Sequence, residues 1–398
     1  MKKIYYGKAV YDSKEINAVI NVLRNQSLSL IDGKNVKILE KTVSSIFGKK
    51  YGLMVNSGSS ANLLALASFN FKKGSEIITP NLTFSTTVAP IYQLGLIPHF
   101  IGVEKNKFVA DPSHIEKCIN KKTVALMIPN LLGNIADWKI INAIAKKHKL
   151  RVIEDSADTI GYTIKGSNAG KFSDITTNSF YASHIINGAG FGGMACFNNF
   201  KLYQRAKLLR GWGRSSATFN ESESIKKRFN VKISGIDYDG KYVFSELGYN
   251  FLPSEISAAF ALEQVKKLRN NIKIRNKNFE YLKNFFKNFK NYFKLPEQYK
   301  NIKTPWLAFP LVIKNNKLFN RKEMQIFFEK HKIQTRTIFT GNILKQPVMQ
   351  NKYFKKHPKC HIIANDVMKN GILLGCHQGM KKNELDYMCK TFLKFIEQ

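Results

Sequence analysis

Apolar residues recur at helical spacing in some segments of the first 255 residues and form short continuous runs in others. At residues 12–26 and 35–47 the apolar positions recur every three or four residues, which predicts two amphipathic helices. Residues 53–69 and 75–95 each begin with a short apolar run, pass through a small polar turn and continue at helical spacing. Each of these two segments is typical of a strand, a loop and a helix in succession.

Two further segments continue this alternation. Residues 123–133 predict a buried strand that ends in a Gly/Asn turn, and residues 141–161 predict a helix, a strand and an acidic loop. Such a succession is typical of an α/β fold, with a large, mostly parallel sheet and helices on both faces. Ligands bind at the carboxyl ends of the strands in such sheets. The candidate site therefore consists of the loops that follow predicted strands, namely 56–62, 81–87, 155–161 and 179–193.

The pattern changes near residue 255. Residues 254–289 keep helical spacing throughout and predict one long amphipathic helix. Strand-like runs follow at 306–313 and 371–376, and helical spacing returns at 322–331 and 383–398. We therefore expect two domains: a large cofactor-binding domain over 1–255, and the connecting helix with a smaller C-terminal α+β domain over 256–398.

Composition indicates a globular protein with a strong basic bias. The 398 residues are 44% hydrophobic and no apolar run approaches the roughly 20 residues of a membrane helix. The N-terminus lacks the apolar core of a secretion signal. A net charge of +35 suits a nucleic-acid binder. Because the lysines are spread along the whole chain, however, we expect neither a nucleic-acid partner nor a membrane partner.

The cysteines form no disulfide or metal-binding pattern. They are scattered, odd in number and contain no CxxC pair: Cys118, Cys196, Cys360, Cys376 and Cys389. Reduced thiols in a cytoplasmic protein are the expected state.

Two short motifs carry candidate chemistry. NSGSSANLL, at residues 56–64, is a Gly/Ser turn that opens a helix and offers backbone N–H groups to an anion, although an ordinary capped helix has the same appearance. In IEDSADTIG, at residues 153–161, Asp155 ends a predicted strand. That carboxylate suits a helix cap, a metal ligand or a partner for a protonated ring nitrogen. Neither motif alone decides between these uses.

Six segments occur together in the order of one known family. The chain resembles the DegT/DnrJ/EryC1/StrS sugar aminotransferases from about residue 15 to its C-terminus. The segments are NSGSSANLLAL, EDSADTIG, KGSNAGKFSDITTNSFYASH, LRGWGR, LGYNFLPSEISAAFALEQ and TRTIFTGNILKQP. The resemblance implies the pyridoxal phosphate-dependent transferase fold type I, which is aspartate aminotransferase-like. It also implies a homodimer with shared active sites, each built from two chains.

The resemblance assigns roles in binding pyridoxal 5'-phosphate. Gly58, Ser59 and Ser179 would hold the cofactor phosphate with backbone and hydroxyl donors. Asp155 would pair with the pyridine nitrogen and keep it protonated, which makes the ring an electron sink. Phe84 would lie against the ring face, although packing in the core is an alternative role for this residue.

Other assignments concern the ring hydroxyl, the partner subunit and the substrate. Asp158 stands where the aminotransferases carry Gln or His near the ring hydroxyl, and Asn250 resembles the asparagine that reaches the phosphate in the partner subunit. The residues that would face the nucleotide sugar are Arg336, Asn342, Arg210 and Arg214. For each arginine a surface ion pair is the alternative.

A histidine replaces the lysine of the family. Five residues after Ser179, in SFYASHIINGAGFGG, the family carries the lysine that binds the cofactor covalently, and this chain has His184. Lys165, Lys171 and Lys201 are not in register with that position. An imidazole cannot hold the cofactor covalently, but it can act as a general base near neutral pH.

The same exchange is known in a subgroup, the nucleotide-sugar 3-dehydratases. One type acts on a GDP-linked 4-keto-6-deoxymannose and the other on a CDP-linked 4-keto-6-deoxyglucose. The CDP type carries an iron–sulfur cluster on cysteines after its WGR motif, whereas WGRSSATFNESESIKKRF has no cysteine here. We therefore expect no iron–sulfur cluster, a substrate of the GDP type, and L-glutamate as the donor that regenerates pyridoxamine 5'-phosphate.

The resemblance thus implies a C3-dehydratase for cell-surface polysaccharide biosynthesis. The cofactor amine would condense with the C4 ketone, His184 would take a proton from the cofactor, and the C3 hydroxyl would leave to give a 3-deoxy-4-keto sugar. Four alternatives stay open: an aminotransferase with an unusual histidine base, a CDP-sugar 3-dehydratase without its cluster, an inactive relative, and a non-catalytic regulatory protein.

Overall fold

A computed structural model describes residues 2–25, 30–220 and 222–397. Within these ranges the helices are α1 (Ser13–Arg24), α2 (Lys34–Ile46), α3 (Gly58–Ala67), α4 (Ser85–Gln93), α5 (Pro112–Cys118), α6 (Trp138–Lys147), α7 (Phe200–Arg210), α8 (Ile225–Phe229), α9 (Glu255–Phe286), α10 (Arg321–Lys330), α11 (His361–Asn370) and α12 (Lys382–Ile396). The strands are β1 (Tyr51–Val55), β2 (Glu76–Pro80), β3 (Ile97–Ile101), β4 (Thr123–Pro129), β5 (Arg151–Asp155), β6 (Thr163–Ile164), β7 (Ser167–Asn168), β8 (Ile175–Ser179), β9 (Gly193–Phe197), β10 (Val231–Ile233), β11 (Ile236–Tyr238), β12 (Phe293–Lys294), β13 (Ile302–Lys303), β14 (Phe309–Ile313), β15 (Lys355–Lys356) and β16 (Gly371–Leu374).

One large sheet organises the first part of the chain. Its strand order is β1-β9-β8-β5-β4-β2-β3-β15. The strands are parallel except for β9, which is antiparallel to both of its neighbours, β1 and β8. Helices cover a sheet whose strands are buried along most of their length. The predicted α/β class with a mostly parallel sheet is therefore confirmed.

The predicted helices begin and end close to their expected bounds. Asp12 caps α1, accepting from the Lys14 N–H, and Glu15 completes a capping box. The predicted helix 12–26 ends at Arg24, and residue 26 lies outside the described residues. Ser254 caps α9, whose apolar stripe packs into the core of both parts of the chain, so the long helix joins the two.

A smaller sheet of β12, β14 and β16 forms the C-terminal part with α10, α11 and α12. Two elements cross the predicted boundary at residue 255. Ile4, near the N-terminus, packs into the C-terminal core beside Ile333. Conversely, β15 extends the large sheet by pairing with β3. The division into 1–255 and 256–398 stays a proposal, which the start of α9 at Glu255 supports.

A helix that crosses a lipid bilayer needs about 20 predominantly apolar residues. Across the ranges that the structure describes, no helix is both long enough and apolar enough to cross a membrane.

Candidate active site

The four loops predicted from the sequence meet at one cavity of about 540 Å³. They follow β1, β2, β5 and β8, which run in the same direction and end at the same edge of the sheet. The cavity brings together these predicted residues: Gly58, Ser59, Phe84, Asp155, Asp158, Ser179 and His184.

The N-terminus of α3 forms one end of this cavity. The Ser57 hydroxyl caps the helix by accepting from the Ser60 N–H at 3.1 Å. A Cβ atom at Gly58 would lie 2.5 Å from the Ser179 Cβ, so only glycine lets α3 begin against the end of β8. The first N–H groups of a helix lack partners within the helix and attract anions. Together with the Ser59 and Ser179 hydroxyls they make a site suited to a phosphate.

Asp155 places a buried carboxylate on the cavity floor at the end of β5. Its Oδ2 accepts from the Asn62 amide and from the Thr87 hydroxyl, each at 2.8 Å, and its Oδ1 accepts from the Ala157 N–H at 3.1 Å. Burial raises the pKa of Asp155, although these three hydrogen bonds oppose the rise. Since these three donors are uncharged, a protonated ring nitrogen in the cavity would stabilise this carboxylate.

Phe84 forms part of the cavity wall before α4. Its side chain is 51% exposed, and its ring meets Phe339 edge to face with centroids 5.9 Å apart. An aromatic side chain this exposed is not part of the core, and its position suits contact with a planar ligand. The alternative role in core packing is therefore not what the structure favours.

His184 lines the cavity with a side chain that is 16% exposed. Its Nδ1 is 3.4 Å from the Ser179 carbonyl oxygen, which can only accept, so this nitrogen carries the proton. Its Nε2 is 3.9 Å from Asp158 Oδ1, beyond hydrogen-bond distance. The lone pair of Nε2 is therefore available to take a proton from a ligand.

The pKa values of His184 and Asp158 favour a neutral imidazole. Burial lowers the pKa of His184 to about 4; the Ser179 carbonyl opposes this effect and the positive charge of Arg275 adds to it. Burial also raises the pKa of Asp158 to about 7, although its carboxylate accepts from the Leu132 N–H at 2.8 Å. Asp158 thus titrates near neutral pH beside an imidazole that is uncharged and able to act as a base.

Three of the other predicted residues lie outside the cavity. Asn250 is exposed and forms a backbone bridge with Gly211. Arg214 is half-buried, with its guanidinium 4.3 Å from the centre of the Trp212 ring. Arg210 is 2% exposed. Its guanidinium forms ion pairs with Asp32 at 2.6 Å and Glu40 at 3.3 Å, and donates to the Met54 carbonyl at 2.8 Å.

The two predicted substrate residues of the C-terminal part differ in their accessibility. Arg336 is exposed and lines a second groove of about 500 Å³, which shares Tyr6, Phe84 and Phe339 with the cavity. Asn342 is buried behind this groove, where its amide donates to Asn365 at 2.8 Å. The structure thus places the Arg336 side chain within reach of a ligand that extends out of the cavity, and directs the Asn342 amide to protein groups.

The residues that hold Asp155 are not evident from the sequence motifs. Asn62 and Thr87 are buried polar residues at the start of helices that follow β1 and β2. Asn62 also accepts from the Thr177 hydroxyl at 2.6 Å, so one network joins β5 and β8 to α3 and α4 at this edge. The available signal was a polar residue within the apolar run ANLLALA, which has no solvent-facing side.

These groups fit pyridoxal phosphate. A helix N-terminus with two hydroxyls suits the phosphate, a buried carboxylate suits the ring nitrogen, and an exposed aromatic ring suits the ring face. The described lining of the cavity contains no lysine, so a covalent link to this chain has no candidate there.

The comparisons with known proteins agree with this geometry. A model of the DegT/DnrJ/EryC1/StrS aminotransferase family matches residues 10–393. The lipopolysaccharide biosynthesis protein RfbH of Salmonella typhimurium is 33% identical over 378 residues, which cover 92% of this chain and 86% of that protein. GDP-4-keto-6-deoxy-D-mannose 3-dehydratase of Escherichia coli O55:H7 is 32% identical over 390 residues, which cover 96% and 97% of the two chains.

A solved structure gives the same result for the fold. GDP-4-keto-6-deoxymannose-3-dehydratase with a trapped PLP-glutamate geminal diamine superposes with a TM-score of 0.85 at 29% identity. The match covers 98% of this chain and 99% of that chain. The predicted fold type is thereby confirmed.

Proposed function

Because the chain belongs to the DegT/DnrJ/EryC1/StrS aminotransferase family, we propose that it is a pyridoxal phosphate-dependent 3-dehydratase of a nucleotide-linked 4-keto-6-deoxy sugar. The observation that carries this proposal is His184, a neutral imidazole at the cavity position where an aminotransferase needs a lysine. The product is a 3-deoxy-4-keto sugar for cell-surface polysaccharide, in keeping with the name of the relative from Salmonella.

The residues of the cavity have different roles in the proposed reaction. When bound, the amine form of the cofactor supplies a nitrogen for the C4 ketone and a ring that accepts electrons. Gly58, Ser59 and Ser179 hold its phosphate, and Asp155 keeps a proton on its ring nitrogen. His184 Nε2 takes a proton and passes it to the hydroxyl that leaves C3.

The absence of a lysine explains why elimination replaces amine transfer. A lysine amine in the same loop would trap the cofactor covalently and return the proton to carbon. The imidazole of His184 can move a proton but cannot form that bond. In the elimination Nε2 gives this proton to the C3 hydroxyl, the C3–O bond breaks and water leaves. Hydrolysis then restores a carbonyl at C4, with its oxygen taken from water.

The donor and the nucleotide follow from the relatives. The structure of the GDP-sugar enzyme with its PLP-glutamate adduct supports L-glutamate as the amine donor here. The name of the relative from Escherichia coli supports GDP as the nucleotide. The five described cysteines are buried and free, and none lies between Cys196 and Cys360, which supports an enzyme without an iron–sulfur cluster and a cytoplasmic location.

In the overall balance the sugar loses one oxygen atom and the product of glutamate gains one. The sugar loses its C3 oxygen, glutamate becomes 2-oxoglutarate, and the nitrogen leaves as ammonia when the product imine hydrolyses. We expect cofactor-loaded protein with glutamate to convert a GDP-4-keto-6-deoxy sugar into a product lighter by one oxygen atom, with equimolar ammonia, and to leave the CDP analogue less reacted. Mass spectrometry of the sugar and an ammonia assay measure this result.

Controls separate the alternatives. Omitting glutamate should stop turnover once the bound amine is used. An amino sugar that keeps its C3 oxygen, formed without ammonia, would instead make the protein an aminotransferase. Preferred reaction of the CDP sugar would overturn the proposed nucleotide, and iron with sulfide in the purified protein would overturn the absence of a cluster.

We also propose that the functional unit is a homodimer with shared sites. Within the described residues the cavity lining has no lysine or arginine, although the cofactor phosphate and the nucleotide sugar are anions. Exposed apolar side chains cluster between residues 225 and 247, and Leu247 is 98% exposed. Such a patch is typical of a protein interface. Asn250 and Arg214 lie beside it, which supports their role in a neighbouring subunit's site.

Two inactive variants should complement each other if the sites are shared. In His184→Ala the base is missing, and in Asn250→Asp a carboxylate would face the partner's phosphate. Coexpressed chains should recover about a quarter of the wild-type activity, because half of the dimers are mixed and one of the two sites in each is intact. Activity of the purified mixture, relative to each variant alone, measures this recovery.

The matched control pairs His184→Ala with Asp155→Asn. Both residues line the cavity of the same chain, so no site in their mixed dimer is intact. That mixture should stay inactive. Recovery in neither mixture would refute the contribution of Asn250 to the partner's site.

A further inference from the structure

A buried arginine lies beneath the His184 loop. Arg275, in the middle of α9, is 0% exposed. Its guanidinium donates to the Gln378 amide oxygen at 2.7 Å and to the Trp306 and Leu307 carbonyls at 3.1 Å each. The fourth acceptor is the carbonyl oxygen of His184 itself, at 3.5 Å. One side chain thus connects the His184 loop with two segments of the C-terminal part.

These contacts reach the wall of the cavity. Leu307 lines the cavity, and its N–H donates to the Leu132 carbonyl at 2.9 Å. Leu132 in turn donates to the Asp158 carboxylate through its own N–H. The position of the imidazole relative to Asp158 therefore depends on a set of backbone contacts in which the Arg275 guanidinium takes part.

The charge of Arg275 has no carboxylate partner among the described residues. Its four acceptors are neutral, and the ionisable groups that interact with it are neutral as well. Burial raises the pKa of Cys376 to about 12 and raises that of Tyr6, so neither is an anion at neutral pH. Removing an arginine from water without a counter-ion is costly. A methionine of similar length would fill the same space without that cost.

The positive charge of Arg275 instead disfavours the protonated form of two imidazoles. His184 and His377 both have a pKa near 4, which burial causes and which Arg275 lowers further. His377 is already held by the backbone, since its Nε2 donates to the Tyr5 carbonyl at 3.2 Å. His184 is the imidazole with a free ring nitrogen in the cavity, so the effect of the charge on its protonation bears on the chemistry.

We propose that Arg275 is a positioning residue for His184: its guanidinium ties the loop to the C-terminal part, and its charge adds to burial in disfavouring the protonated imidazole. This inference rests on the proposed function only for its use of His184 as a base. The titratable and charged groups around His184 are Asp158 from the loop after β5, Tyr181 from its own loop, Tyr6 in the same cavity lining and Arg275 from α9, which contacts the His184 carbonyl. Of these, Arg275 is the permanent cation.

The test is a titration of His184 by NMR in protein labelled at histidine, without cofactor or substrate. The His184→Ala variant lacks the resonance and so assigns it. In Arg275→Met we expect the pKa of His184 to rise towards its ordinary value, because a nearby positive charge disfavours the imidazolium. In Arg275→Lys, which keeps the charge, the pKa should stay close to that of the wild type.

A second variant tests the charge without removing the side chain. In the native chain the Gln378 amide oxygen lies 2.7 Å from the Arg275 Nε. Gln378→Glu places a carboxylate there, which should offset the positive charge and raise the pKa of His184. This variant keeps the proposal testable even if Arg275→Met fails to fold. An unchanged pKa in Gln378→Glu and in any folded Arg275→Met would overturn the proposal. A dehydratase assay is separate: a shifted pKa in a protein that does not dehydrate sugars would refute the proposed function and leave this inference standing.

Discussion

His184→Ala should abolish C3 dehydration, with a loss of roughly 10²- to 10⁴-fold, while the cofactor still binds. A positioned general base contributes about this much to a rate. His184 Nε2 is the free imidazole nitrogen of the cavity, and its side chain makes no contact with the residues proposed for the phosphate except Ser179, whose carbonyl it meets. Product formation by mass spectrometry measures the loss, and the absorbance of the bound cofactor measures retention.

A matched control is His148→Ala, at the end of α6. His148 contacts Glu116 at 3.2 Å on the surface and lies outside the cavity lining. This variant should keep the wild-type rate, which excludes a general effect of losing an imidazole. Dehydration at an unchanged rate in His184→Ala would remove the central observation on which the proposed function depends.

The sequence predicts the parts of the fold that depend on local periodicity. Strand, loop and helix follow one another at 51–67 and 76–93 as expected, because each strand is a short apolar run and each helix an apolar stripe. The convergence of the four loops was also predictable, since parallel strands end at one edge. For this reason Asp155 and His184 could be placed in one site before their distance was known.

The missing elements are those that depend on distant partners. The sequence of β9, GMACF, does not predict its antiparallel direction, because an apolar run suits either direction. β15 consists of two lysines, which look exposed in the sequence but pair with β3 at the sheet edge. The hairpin of β10 and β11 likewise lies in a polar stretch with only short apolar runs.

The site shows the same limit. Arg275 has the appearance of an ordinary helix cation in NNIKIRNKN, and only the packing of α9 against the C-terminal part buries it. Arg210, for which a contact with the nucleotide sugar and a surface ion pair were the two possibilities, forms ion pairs with Asp32 and Glu40 from a buried position. A sequence shows which residues carry charge, whereas the partner of each charge is a property of the tertiary structure.

Asp155→Asn should lower the rate by roughly 10²- to 10⁴-fold, the cost expected when one partner of a buried charge pair is lost. The proposed partner of the carboxylate is a protonated ring nitrogen, and an amide cannot stabilise that charge. The amide also breaks the present network. Oδ2 accepts from Asn62 and Thr87 while Oδ1 accepts from Ala157, and an amide NH₂ group must replace one of these acceptors.

Protonation of the ring nitrogen distinguishes this role from simple loss of the cofactor. It is measured by ¹⁵N NMR of labelled cofactor bound to each protein. The nitrogen should stay protonated across neutral pH in the wild type and lose its proton at lower pH in Asp155→Asn, because the anion that stabilised the proton is gone. Asp174→Asn is the matched control, since Asp174 contacts Arg151 and the Val152 N–H outside the cavity lining. If the ring nitrogen of Asp155→Asn titrated like that of the wild type, Asp155 would not be its partner, and the buried carboxylate would serve only to join Asn62, Thr87 and Ala157.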